Sequence, residues 1–334
     1  MPVTVSSTLA SRVKTTCYLC GSATPETSLN TRELAVIRCG SCGLRFSHPA
    51  PAPEALLELN LKNRACYSPP TEKRLHAAVR TMVMEANGDY PEAGITGTVV
   101  ARLVPRRFTP DVIRYIPHGK ILDVGFGSGK MLDWLKAHRW ETWGIDFSIN
   151  AVEVMSLKGH HVVTADVERD NLDLLSRGYF DVIRLSHILE HLRDPIGALK
   201  RLRPLLKPDG RIVVSIPNLE STAARILGRD CTMLNIPRHL YFFSPAVLET
   251  VLMKSGFTVT HKRGKDSPGM AMGSLGRIQR GQSRLATWRA FARLAYNWLK
   301  PRRPLESFDL ITFDATVAED QTLNMTPMQP TGEH

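Results

Sequence analysis

The stretch Ile121-Leu-Asp-Val-Gly-Phe-Gly-Ser-Gly129 constrains this chain more than any other. It reads as a buried strand that breaks into three strictly alternating glycines, Gly125, Gly127 and Gly129, followed by a helix from Lys130 to His138. A strand, a glycine turn and a helix start in that order present backbone N–H groups at one edge of an α/β sheet, where a nucleotide-like ligand is held. The spacing narrows the ligand. A dinucleotide turn reads G-x-G-x-x-G and a phosphate loop ends in Lys followed by Ser or Thr, and neither pattern is present.

Asp123, two residues ahead of the first glycine, places an acid where a pyrophosphate would be repelled. It suits S-adenosylmethionine, which carries a sulfonium and an ammonium group and no phosphate. Trp140-Glu-Thr-Trp-Gly-Ile-Asp146 reads as a second strand ending in an acid able to accept both ribose hydroxyls, with Phe147 next to it. His161-Val-Val-Thr-Ala-Asp166 repeats the pattern, and Asp166, with Val167 beside it, can accept from the adenine amino group. Phe180 to Ser186 and Gly210 to Asn218 are apolar strands of the buried parallel type. Asp194-Pro195 and Ser244-Pro245 each supply a helix cap and a first-turn proline, and Gly256 closes the second of these helices.

Together these segments resemble the class I S-adenosylmethionine-dependent methyltransferases over roughly Lys120 to Thr260. The matching motifs are Asp-Val-Gly-Phe-Gly-Ser-Gly, Gly-Ile-Asp-Phe-Ser, Glu190-His191-Leu192 with Asp194-Pro195, and Leu206-Lys-Pro-Asp-Gly210. Phe126 stands where a cysteine is most often found. The resemblance implies a doubly wound α/β fold with a seven-stranded, mostly parallel, Rossmann-like sheet. Its cofactor residues would be Asp123, Gly125, Phe126, Gly127, Gly129, Asp146, Phe147, Asp166, Val167 and Ser186. Phe257 to Thr260 and Phe308 to Asp314 are expected as the sixth and seventh strands.

Two C-x-x-C knuckles, Cys17–Cys20 and Cys39–Cys42, lie eighteen residues apart, each followed by a glycine. That is the spacing of a four-thiolate zinc site, which leaves no open position and is therefore structural. Disulfides are the competing reading, but a chain opening without a secretory signal is expected in a reducing, cytoplasmic setting. Cys66 and Cys231 are read as unligated. The expected organisation is a zinc-ribbon-like segment over 1–52, a helical linker or lid over 53–118, a methyltransferase domain over 119–318 with a basic helical insertion at about 268–305, and a disordered tail over 319–334.

The chemistry is expected beyond the fourth strand. His187, Glu190 and His191 are spaced i, i+3, i+4, so one helical turn would put them on one face. An alcohol acceptor must lose a proton, and His187, His191 or His239 can take it. Alternatively the His/Glu/His face binds a divalent ion, because ubiquinone-pathway O-methyltransferases carry a similar segment whose acid, acid and histidine can hold a metal. The first of those ligands is a histidine here. Packing alone is the third reading. The later segment Asn235-Ile-Pro-Arg-His-Leu-Tyr-Phe-Phe-Ser244 can fold back over the same edge, with Arg238 facing an anionic acceptor and Tyr241 and Phe242 stacking on a ring or packing on the sheet.

A net charge of +11 favours an anionic partner, and Arg277, Arg280, Arg284, Arg289, Arg293, Lys300, Arg302 and Arg303 crowd one late segment. Over 284–300 it reads as a basic, Trp-bearing amphipathic helix that can lie on an anionic membrane, cover the acceptor site, form a dimer or pack on its own domain. The reading that results is O-methylation of a sugar, glycan or other small-molecule hydroxyl, the acceptor being lipid-linked if the helix meets a membrane. An RNA methyltransferase and a non-catalytic cofactor-binding module are the alternatives.

Overall fold

A computed structural model describes residues 15–23, 25–30, 35–61, 74–104, 112–281, 284–300 and 303–318. The expected tail over 319–334, Cys66 and Arg302 lie outside them. The strands are β1 (Pro25–Asn30), β2 (Ala35–Cys39), β3 (Arg45–His48), β4 (Lys120–Val124), β5 (Glu141–Asp146), β6 (His161–Thr164), β7 (Phe180–Ser186), β8 (Leu206–Pro217), β9 (Tyr241–Phe242), β10 (Phe257–Lys265) and β11 (Leu310–Val317). Helices α1 (Pro53–Leu61), α2 (Arg74–Asn87) and α3 (Gly94–Leu103) precede β4. Helices α4 (Lys130–Ala137), α5 (Ile149–Leu157), α6 (Pro195–Leu202), α7 (Thr222–Leu227) and α8 (Pro245–Lys254) are interleaved with the later strands. Helices α9 (Pro268–Gly281) and α10 (Arg284–Leu299) fill the connection between β10 and β11.

The main sheet has seven strands in the order β10-β11-β8-β7-β4-β5-β6. β4 through β8 are mutually parallel, and β11 runs antiparallel to both neighbours. The chain winds outward from β4 to β6 and then crosses back to β7. The β4–β7 boundary is thus the switch point where open α/β sheets bind ligands. Central strands are apolar on both faces, with Phe180, Ile121, Leu122, Ile183, Leu185, Ile212, Val214 and Phe313 essentially inaccessible. β8 starts at Leu206, four residues before the expected Gly210, and Lys207–Gly210 bulge out of the ladder. Pro208 has no N–H to give that ladder.

The helix ends follow the punctuation of the chain. The Asp194 side chain accepts from the Gly197 amide at 2.8 Å to start α6, Ser244 does the same for Val247 at 3.3 Å to start α8, and Gly256 follows α8 at φ 84°. Over 53–118 the expected lid resolves into separate contacts. Met84 of α2 and Tyr90 pack with Trp134, Leu135 and Trp140 against the sheet residues Ile121, Val182 and Val213. Glu85 reaches His138, at the end of α4, at 3.0 Å.

The first knuckle precedes β1 and the second makes the β2–β3 turn of an antiparallel sheet of order β1-β2-β3-β9. Its fourth strand comes from the segment expected to fold back over the ligand edge: Arg45 pairs with Phe242 and Phe46 with Tyr241. The Tyr18 hydroxyl donates to Asp194, the Ile196 amide donates to that hydroxyl at 2.9 Å, and the Tyr18 and Tyr241 rings lie 5.2 Å apart. Cys17, Leu19, Ile37, Leu44 and Phe46 share one core cluster with the main sheet. The ribbon is therefore fused to the α6 edge of the larger domain. Replacing Asp194 with Ala removes both the α6 cap and the Tyr18 acceptor, and is expected to cost about 1–2 kcal/mol in urea unfolding. Tyr18→Phe should show a loss that is not additive with it.

Candidate active site

Gly125, Gly127 and Gly129 sit at φ 68°, 56° and 71°, a region that side-chain-bearing residues seldom occupy. Space is as tight as geometry: a Cβ on Gly125 would lie 2.1 Å from Ile188 Cδ1, and one on Gly129 would lie 2.2 Å from Met155 Cε. Asp146 fixes this turn from the next strand. Its Oδ2 accepts from the Gly127 amide at 3.0 Å and its Oδ1 from the Ser148 amide at 2.9 Å. A carboxylate oxygen has a second lone pair, so Asp146 can order the turn and still accept a ribose hydroxyl. Phe147 follows, half-buried at the same edge. The side-chain-free turn, the acid at the end of β5 and the N-terminus of α4 fit S-adenosylmethionine.

The other expected cofactor residues have the following surroundings. The Asp123 side chain is buried and faces Arg184 Nη1, at 2.8 and 3.1 Å from its two oxygens. Within the sheet this guanidinium is its ion-pair partner. The Phe126 ring packs inward with Leu132, Ala151 and Met155, so this residue offers the turn only its backbone. Asp166 Oδ1 accepts the Glu168 amide at 2.9 Å, and its own amide donates to Asp170 at 2.8 Å. Val167 is buried in the main core. Ser186 ends β7 in register with Ser215.

Beside this edge the structure gathers Glu190, His187, His191 and His239. Residues 189–191 form a single 3-10 turn, not an α-helical one. Glu190 is 2% exposed, and neither of its oxygens has a hydrogen-bond partner. His187 Nδ1 lies 3.5 Å and His239 Nε2 4.0 Å from Oε1. His191 Nδ1 donates to the Arg238 carbonyl at 2.9 Å, and its ring meets His239 edge-on at 4.7 Å. Burial raises the Glu190 carboxyl, but His187, His191 and His239 outweigh it and hold it down to about 2. Burial and the neighbouring His191 press His239 down to about 3, and burial also lowers His191 despite Glu190. The cluster is a buried carboxyl facing the imidazoles of His191 and His239 and the more open His187, whose side chain is 38% exposed. His187 itself is held at φ 57°, an uncommon backbone for a histidine.

The segment after β8 does return to this edge: the Leu240 amide donates to the Glu190 carbonyl at 2.8 Å. Its side chains find partners within the protein. Arg238 Nε donates to Asn60 of α1 at 3.1 Å, the Tyr241 hydroxyl donates to the Arg193 carbonyl at 3.0 Å, and Phe242 is buried under the ribbon sheet and the insertion. Ser47 ties the ribbon to the same segment, its hydroxyl donating to the His239 carbonyl at 2.8 Å and its amide to that of Leu240 at 2.9 Å.

The four knuckle thiols form a compact cluster. Cys17 and Cys42 sulfurs are 3.5 Å apart and Cys20 and Cys39 sulfurs 3.6 Å apart, with all four ligand atoms within 4.8 Å of one another. A disulfide needs about 2.05 Å, whereas the edges of a zinc–thiolate tetrahedron are about 3.8 Å. Burial raises the Cys39 thiol, but the amides of Cys42 and Ser41 outweigh it and bring it to about 6. Glu190, His191 and His239 are a second set whose ligand atoms could share an ion. Cys231 is buried and free.

Arg184 was readable, since a lone arginine within the apolar run Phe180–Ser186 demands a buried acid. Ile188 over Gly125, and Asn60 and Ser47 against the acceptor segment, carry no local sequence signal.

The chain belongs to the family of methyltransferase domains, which its residues 96–262 match. It is similar to the ubiquinone biosynthesis O-methyltransferase of Cereibacter sphaeroides, at 27% identity over 154 residues covering 43% of this chain and 62% of that one. The corresponding enzyme of Histophilus somni is 29% identical over 143 residues, 39% of this chain and 60% of its own length. The chain thus spans less than two thirds of these relatives. Among solved structures, the 1,6-didemethyltoxoflavin-N1-methyltransferase of Burkholderia thailandensis aligns over 89% of this chain and 100% of its own, with 13% identity and a TM-score of 0.46.

Gly125→Val is expected to lower S-adenosylhomocysteine affinity at least about tenfold by calorimetry, because both the backbone and Ile188 exclude a side chain. The histidines set a pH dependence. Unfolded imidazoles take protons below about pH 6.5 that the folded His191 and His239 refuse, so stability is full above that value and falls as pH drops toward 3. Urea midpoints measured from about pH 7 to about pH 5 should fall, and fall less steeply in His239→Gln.

Proposed function

We propose that this enzyme methylates a hydroxyl of a small molecule, with His187 as the general base and Glu190 as the group that orients it. The observation that carries this reading is the His187 imidazole, its side chain 38% exposed, backed at 3.5 Å by the buried Glu190 carboxyl at the end of β7 beside the glycine turn. S-adenosylmethionine supplies an electrophilic methyl group when bound by Gly125, Gly127, Gly129, Asp146 and Phe147. An acceptor oxygen forms its new bond to that methyl carbon as the carbon–sulfur bond breaks. His187 Nε2 takes the hydroxyl proton, and Glu190 faces Nδ1, favouring the tautomer with its proton there and stabilising the imidazolium that results. The resemblance to ubiquinone-pathway O-methyltransferases supports oxygen as the acceptor atom.

A second reading has its own observation. Both buried Glu190 oxygens lack hydrogen-bond partners, and Glu190, His191 and His239 are close enough to share a divalent cation. Adding Mg2+ or Mn2+ to protein whose thiolate site is loaded separates the two: the base reading expects no stimulation, the cation reading a rise in rate. At the knuckles we assign a structural Zn2+ to Cys17, Cys20, Cys39 and Cys42. Metal analysis should return about one zinc per chain, and Cys20→Ser should lose it together with the fixed position of the His239 segment.

The direct test is methyl-labelled S-adenosylmethionine incubated with the protein and extract from cells lacking it, split into RNA, lipid-linked and small soluble fractions. Label on a hydroxyl in the lipid or soluble fraction supports the proposal. Label confined to RNA, or none in any fraction, overturns it. With an acceptor in hand, His187→Ala and Glu190→Gln are each expected to lower kcat by about 10²–10⁴-fold while S-adenosylhomocysteine still binds.

A further inference from the structure

The 268–303 insertion carries eight arginines and lysines and no acidic residue. Its helix α10 has two apolar faces. Leu294 and Ala290 are buried, and Phe291 and Trp298 pack beside them on α7 and α9 residues, which accounts for one face. Leu285, Trp288, Tyr296 and Leu299 are 59%, 68%, 65% and 77% exposed, and exposed Ala292 lies between them. At about 100° per residue these five positions fall within an arc of about 80°, so they form one continuous outward stripe. Exposed Arg289, Arg293 and Lys300 line one side of it.

The sheet register fixes where this stripe sits. Leu310 pairs with both Pro217, the last residue of β8, and Lys265, the last residue of β10. The insertion therefore rises from the edge at which the parallel strands end, the edge that holds the glycine turn and His187. Its base is bolted down there. Fully buried Asn218 donates through Nδ2 to the Glu306 and Phe308 carbonyls, each at 2.9 Å, and Arg303 pairs with buried Asp266. The stripe is presented by a fixed platform.

We propose that the outward face of α10 docks on an anionic lipid bilayer surface, holding the ligand edge of the enzyme against the headgroups. Charge and shape select this occupant. The basic flank calls for an anionic partner, and a second copy of the same acid-free helix offers it none. Aliphatic Leu285 and Leu299 at the two ends of the stripe gain burial in lipid and nothing from phosphates or bases. No helix among the described residues is long and apolar enough to cross a membrane, so the contact is peripheral. The surface assignment is independent of the acceptor's identity and of the His187 reading.

The test is flotation of the full chain with vesicles of phosphatidylcholine alone and of phosphatidylcholine mixed with phosphatidylglycerol. The protein should float with the mixed vesicles at low salt, be released at high salt, and ignore the neutral ones. Trp288→Glu should abolish flotation, and the double variant Arg289→Gln/Arg293→Gln should weaken it roughly thirtyfold, at about fivefold per lost arginine. Both variants should keep the native unfolding midpoint and S-adenosylhomocysteine affinity, because these side chains are exposed. Three results overturn the proposal: no flotation of the native chain, flotation unchanged in the variants, or a concentration-dependent dimer that Trp288→Glu dissolves. Protection of the helix by RNA, with no vesicle binding, would replace lipid with nucleic acid.

Discussion

A carboxylate with no hydrogen bond, 98% removed from solvent, must be held by nearby positive potential or by groups that can become positive. Glu190 is such a group, and much of this molecule is arranged around it. Two of its three imidazoles, His187 and His191, come from the turn after β7, and the third, His239, comes from a segment far along the chain. That segment is kept in place by the Leu240 amide on the Glu190 carbonyl and by Ser47 of the ribbon on the His239 carbonyl. Leaving an ion of this kind without partners costs several kcal/mol. The thiolate cluster, β3, β9 and the histidines thus form one line of support that ends at a single buried charge.

Two acids show how the same residue type is given different work by its surroundings. Asp146 lies at a strand end, accepts two backbone amides and shapes the glycine turn. Asp123 is the next-to-last residue of β4, and Arg184 of β7 pairs with it in register. Removing Arg184 would leave a buried unpaired carboxylate in the centre of the sheet, so its role is to make the switch point foldable. The three glycines complete the device by keeping side chains out of the space that the acids border.

The sheet was legible because its strands are long apolar runs ending in acids or glycines, and its helices because Asp194-Pro195 and Ser244-Pro245 announce their starts. The seven-stranded methyltransferase architecture followed from those signals. Contacts that depend on chain segments meeting across large separations were not legible. Nothing in Tyr241-Phe242 says that two residues will be the fourth strand of a distant sheet, since an edge pair this short has no period to read. The direction of the Phe126 ring was not legible, because a glycine turn tells where its backbone goes and not which way one ring points. The amphipathic pattern of α10 was visible, but only packing against Ala290 and Leu294 reveals that the apolar residues divide between two faces.

The placement of β9 has a consequence for how such proteins can be recombined. The ribbon is continuous in sequence and resembles a detachable module, yet its sheet is completed by two residues that lie nearly two hundred positions downstream. A foreign ribbon grafted at the N-terminus would bring its own thiolates but find an edge strand cut for another register. A graft taken without Tyr241 and Phe242 would leave its last strand bare and the His239 segment untethered. The unit of inheritance is therefore the ribbon together with the loop that follows β8, so a change on one side of the β3–β9 ladder constrains what the other side can accept.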